Sequence, residues 1–225
     1  MSFNPQIILL KFLAFTQYSG LEVRFAGYRH NPFLDQTPDF FNKYMEEMIN
    51  NFFVITGATG SGKTALIQEL KKRGYRCVEE IARHIIQEQI KTGGDAVPWK
   101  NIQHFKELML ERFIQTYAQE DSQEITFFDR DVLDLVAYDR LTRTKSSQKL
   151  LTAVQNFSYN NRVFLIPPWK EIYHTDSERK QTYEEAVAAY ENLVKVYTEY
   201  GRQLIEVPKM SVQERADFVI SHVKS

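Results

Sequence analysis

Gly57, Gly62, Lys63 and Thr64 complete the spacing G-x-x-x-x-G-K-[ST] within "GATGSGKT". A short apolar run, "NFFVIT", precedes the loop and an amphipathic run, "KTALIQELKKRG", follows it, which is the strand–loop–helix context that the spacing requires. The glycines, Gly60 among them, let the backbone wrap tightly. Together with Ala58, Thr59 and Ser61 they would turn a row of N–H groups toward phosphate oxygens, and the helix N-terminus adds partial positive charge. Lys63 would then reach the β- and γ-phosphates of a nucleotide, and the Thr64 hydroxyl would ligate Mg2+. A glycine-rich turn that binds nothing is the competing reading, and the complete motif in its context argues against it.

A second acid belongs with such a loop. "ITFFDRDVLD" puts Asp129 at the carboxyl end of an apolar strand, where ligands bind in open α/β sheets. Asp129 is the expected magnesium carboxylate, and Asp131 the expected N-cap of the next helix, with Asp134 adding charge to its first turn. Arg130 either lies on the surface or points into the cleft to grip a phosphate or substrate through directional, bidentate contacts.

"CVEEIAR" ends another strand with Glu79 and Glu80 and sets Arg83 three residues past Glu80. On one helix face this is either a surface ion pair or a carboxylate that orients an acceptor hydroxyl beside an arginine that positions the acceptor. Farther on, "PPWKEIYHTDSERKQTYEEA" is a long polar connection of the kind that forms lids. Arg179 could bring positive charge onto a transferring group from there, or it is a solvated residue beside Lys180, Asp176 and Glu178. His174 reads as an incidental loop histidine.

The elements that must position these residues alternate strand and helix. After "NFFVIT" and its helix come a strand at "YRCVEE", a glycine-stopped helix at "EIARHIIQEQIKTGG" and a long helical pattern over 98–120. Strand "EITFF", helix "DVLDLVAYDRL", a helical stretch at 146–158 and strand "RVFLI" follow. Helix "TYEEAVAAYENLVKVYTEYG", strand "RQLIEVP" and a last helix near 211–222 complete the pattern. Five strands separated by helices predict an α/β fold, a parallel sheet with helices on both faces.

Residues 1–47 are expected to stand apart from a P-loop domain over 48–225. They are rich in Phe and Tyr, carry no motif and show no sustained period. They read either as a packed appendage or, with translation starting at Met45 or Met48, as an extension that is not native. Composition adds exclusions. A net charge of −1 from 28 basic and 29 acidic residues favours neither nucleic acid nor an anionic membrane as partner. No apolar run approaches the roughly 18 residues that span a bilayer. The single cysteine, Cys77, precludes an internal disulfide and points to a reducing, cytoplasmic setting.

Taken together, "VITGATGSGKTALIQELKKRGY", "VEEIAR", "FFDRDVLD" and "TDSERKQTYEEA" resemble the short AAA-type predicted ATPases, a P-loop NTPase family. That family is akin to the ribosylnicotinamide kinase domain of NadR and to the TRPL translocation defect protein. The resemblance covers roughly residues 50–222. It implies a three-layer sandwich with sheet order 2-3-1-4-5, ATP and Mg2+ at the first loop, Glu80 and Arg83 on the acceptor side, Asp129 and Arg130 at the third strand, and Arg179 in a lid. The activity it implies is phosphoryl transfer to a small-molecule hydroxyl, most plausibly nucleoside-like. The rival is a switch that hydrolyses ATP or GTP slowly and regulates a protein or lipid partner. Neither a guanine-reading Asn-Lys-x-Asp nor an "LSGGQ" segment occurs ("NKYM" at 42–45 ends in Met), and the chain is too short for the helical lid domain of a ring motor.

Overall fold

The computed structural model describes residues 51–120, 123–173 and 182–223. The 1–47 segment, His174, Asp176, Glu178, Arg179 and Lys180 lie outside the described residues, and so does the expected lid role of Arg179.

Strand β1 (Phe52–Gly57) leads through the phosphate loop into α1 (Lys63–Lys72), followed by β2 (Arg76–Val78), α2 (Ile81–Thr92) and α3 (Ile102–Gln119). Then come β3 (Thr126–Asp129), α4 (Val132–Leu141), α5 (Gln148–Asn156) and β4 (Arg162–Ile166). A short 3-10 turn (Lys170–Ile172), α6 (Tyr183–Glu199), β5 (Gln203–Glu206) and α7 (Val212–Val223) complete the order. All strand pairs are parallel, in the order β2-β3-β1-β4-β5. This is the predicted P-loop sheet.

β1 lies at the centre, and its register aligns Ile55 with Asp129 on β3 and Gly57 with Ile166 on β4. All six of its residues are buried, so it reads as a continuous apolar run rather than an alternation. Its side chains still divide by parity. Phe52 and Val54 join the core formed with α2 through α6, while Phe53 and Ile55 join the core under α1 and α7. In the first core Tyr117 stacks flat on Phe157 at 4.3 Å and meets Phe52 edge-on at 5.7 Å. Burying each such aromatic contributes about 1.5–3 kcal/mol, the largest single-residue contribution to holding the layers together.

Boundaries move from the expected ones where caps decide them. The 98–120 pattern becomes helical only at Ile102, because the Asn101 side chain accepts from the His104 amide at 3.1 Å and fixes the start. Strand β2 stops at Val78, two residues short of Glu80, which becomes the residue before α2. That shift decides which of the two glutamates reaches the site.

Candidate functional site

Gly57 ends β1 with φ 139°, and a Cβ there would be driven into the Ile166 carbonyl, to which the Ala58 amide donates at 3.1 Å. Only glycine can end the strand here while keeping its bond to β4. The loop then folds around its own lysine. Lys63, 6% exposed, donates from Nζ to the Ala58 carbonyl at 3.0 Å and to the Gly57 carbonyl at 3.3 Å. Ser61 ties the same Ala58 carbonyl through its hydroxyl at 2.6 Å. Burial, with Arg130 nearby, pushes the Lys63 ammonium down to about 8.

Asp129 closes β3 at 2% exposure, and its Oδ1 has no hydrogen-bond partner among the described residues. Burial, reinforced by Glu80, pushes its carboxyl up to about 7 against the opposing pull of Lys63 and Arg130. An orphaned buried carboxylate oxygen is an incomplete site. A hard cation would supply the missing partner. With the exposed Thr64 hydroxyl in the first turn of α1, it offers the oxygen donors that Mg2+ takes, and the residues fit the ion. Among the described residues no group of three or more His, Cys, Asp or Glu could cage a metal alone, which suits an ion shared with nucleotide phosphates.

Arg130 points inward. Its backbone adopts φ 76°, the left-handed region that costs a non-glycine residue on the order of 1 kcal/mol or more, and its amide donates to Ile55 O at 3.0 Å. Its guanidinium donates to Asp134 Oδ1 at 2.6 Å, to the Gly57 carbonyl at 3.3 Å and to Glu80 Oε1 at 3.4 Å. Burial opposes the charge, but Asp134, Glu80 and Asp129 together hold the group above the usual arginine range.

Asp134 does far more than charge a helix turn. It completes a capping box with Asp131, accepts from the Thr56 hydroxyl at 2.7 Å and receives the Tyr197 hydroxyl at 2.6 Å. The same Tyr197 oxygen lies 2.5 Å from Asp131 Oδ1. Burial, and then the neighbouring Asp134, push the Asp131 carboxyl up to about 7.

The two glutamates part company. Glu79 faces the other way, held by Lys71 at 2.5 Å and Gln68 at 3.1 Å with His84 at 3.3 Å, and its expected place on the acceptor side is corrected. Glu80 faces the cleft.

Two cavities meet there. One, of about 300 Å³, is lined by Thr59, Gly60, Gly62, Lys63, Thr64 and Arg83. The other, of about 210 Å³, runs between α2, α3, α4 and α6 behind largely apolar walls that include Ile86, Phe105, Met109, Tyr138 and Leu193. Thr59, Glu80 and Arg130 line both. The geometry therefore sets a phosphate-shaped recess beside an apolar one, with a carboxylate and a guanidinium in the shared wall.

A family model described as AAA domain matches residues 52–215. No curated protein sequence matches the chain. Among solved structures, NadR protein in complex with NR superposes with a TM-score of 0.57 at 17% identity, over 88% of this chain and 60% of that one. Deoxyadenosine kinase from M. mycoides, with products dCMP and a flexible dCDP bound, gives 0.50 at 15% identity over 77% of this chain and 98% of that one. At these identities the likeness is one of fold.

Proposed function

The chain belongs to the AAA domain family, and on that premise we propose that it transfers the γ-phosphoryl group of ATP to the hydroxyl of a small, nucleoside-like molecule. The observation that carries this reading is the meeting of the two cavities at Glu80 and Arg130. A switch that only hydrolyses a nucleotide has no use for the second, apolar recess.

The loop amides and Lys63 hold the donor phosphates, and Lys63 gives up its contacts to Gly57 and Ala58 to do so. Thr64 and Asp129 would hold Mg2+, which would supply charge neutralisation at the phosphates. Glu80 orients the acceptor hydroxyl and takes its proton. The new bond joins the acceptor oxygen to the γ-phosphorus, and the β,γ-bridging oxygen departs with ADP. Arg130, in the wall that the two cavities share, and Arg83 grip the acceptor. Most of the catalysis is positioning and charge stabilisation.

An acceptor without a phosphate of its own suits this recess better. Among the described residues its charged side chains are Glu80, Asp134 and Arg130, and Arg130 is already shared between the two carboxylates.

The test is ADP release from Mg·ATP with pooled nucleosides, nucleoside monophosphates and vitamins, beside Lys63→Ala and Glu80→Gln. Release that requires an unphosphorylated pool and falls at least tenfold in both variants is expected. Slow release indifferent to every pool, lost in Lys63→Ala but kept in Glu80→Gln, would favour the switch.

A further inference from the structure

Arg215 lies in the first helical turn of α7, and no motif of the sequence points to it. It is 3% exposed, yet no carboxylate among the described residues pairs with it. Its Nη1 donates to the Ser61 carbonyl at 3.2 Å, its Nε has no hydrogen-bond partner, and its guanidinium lies over the Trp169 ring at 5.7 Å. Nη1 and Nη2 stand 3.0 and 3.2 Å from where a Cβ on Gly62 would be, so the cation is pressed against the flank of the phosphate loop. Gly62, at φ 85°, is the residue that opens α1.

Two other buried cations among the described residues are paired with carboxylates: Lys106 with Asp139 at 2.5 Å, and Arg130 with Asp134 and Glu80. Arg215 has one carbonyl and the face of an indole, and burial alone draws it below the usual arginine range. An uncompensated buried charge is a standing cost to the folded protein. Such a cost is offset when an anion arrives, and the neighbouring cavity is the one shaped for phosphate.

Resting on the donor-site reading, we propose that Arg215 is a positioning residue of the nucleotide site. Through Ser61 and Gly62 it holds the phosphate loop in its receiving shape, and it supplies positive charge that a bound polyphosphate compensates and no carboxylate among the described residues does. Its weight falls on nucleotide affinity and not on the folding of the empty protein.

A structural arginine and a phosphate-directed one differ in sign. Arg215→Met keeps the length and packing of the side chain and removes the charge. The expected result is an unliganded Tm equal to or above that of the wild type, with Mg·ATP affinity lowered about tenfold, the scale of one charged contact. KM for ATP rises correspondingly while kcat changes less. Arg215→Lys, which keeps the charge and loses the planar fork, recovers most of the affinity at low salt and less of it at high salt.

Binding is read by calorimetry with Mg·ATP and melting by differential scanning fluorimetry. Equal affinity in Arg215→Met and wild type overturns the inference alone, and so does a Met variant that melts earlier yet binds as well. If the Met variant fails to fold, Arg215→Lys decides: salt-sensitive recovery supports the inference, and affinity unmoved by salt overturns it. Failure of the wild type to bind Mg·ATP overturns the donor reading itself, and the inference with it.

Discussion

At the scale of single residues, Asp134 is the hub of the site. Its two oxygens serve Thr56, Arg130, Tyr197 and the Asp131 amide. Asp134→Ala would leave Arg130 buried against Glu80 alone and strand the Thr56 hydroxyl. Urea unfolding is expected to record a loss of about 3–5 kcal/mol, the size seen when one partner of a buried pair is removed. Tyr197→Phe is milder. It keeps the ring, 0% exposed, and deletes only the hydroxyl, for an expected loss of about 1–3 kcal/mol. A variant as stable as the wild type would mean that the hydroxyl adds nothing to the stability of this cluster. Cys77 lies at the opposite extreme of reactivity. Burial pushes its thiol up to about 12, so near neutral pH it holds almost no thiolate. In the native protein at pH 8 it is expected to react with iodoacetamide at least tenfold more slowly than free glutathione, and denaturant should abolish the difference. Comparable rates in the native state would place it in contact with solvent.

At the scale of elements, the strand-to-helix junctions carry the function. Gly57→Ala forces a side chain into β4 at a backbone angle that only glycine tolerates, and is expected to lower Tm and abolish nucleotide binding together. Binding retained at wild-type strength would show that the loop can start elsewhere. The sequence makes these junctions legible because glycine spacing and strand-end acids are local signals, and from them Lys63, Thr64, Glu80, Asp129 and Arg130 were singled out, which the fold brings around adjoining cavities or the strand end beside them. Glu79 was misread because it depends on where β2 stops. Adjacent residues on a strand face opposite ways, and a strand ending at Val78 in place of Glu80 hands the inward direction to the next helix start. Tyr197 and Arg215 were not readable at all. They approach the site from 63 and 154 residues away along the chain, on helices whose own patterns say only which face is buried. The full role of Asp134 escaped for the same reason: its first-turn position was visible, and the three side chains that converge on it were not.

At the scale of the whole molecule, each face of the sheet has its own helical cover among the described residues. The sheet order bears on how the molecule is made. Of the described strands β1 leaves the ribosome first, yet it is paired on both sides in the finished sheet, with Thr126 beside Phe52 and Val163 beside Val54. At ordinary synthesis rates of 5–20 residues per second, its first neighbour emerges roughly 4–15 s after it. Through that interval "FFVIT" is an apolar, β-prone segment with both edges open, the kind that nucleates aggregation. The strand that places the phosphate loop is thus also the one most exposed to misassembly at birth, and its yield in a cell is expected to depend on chaperones that shield a nascent chain.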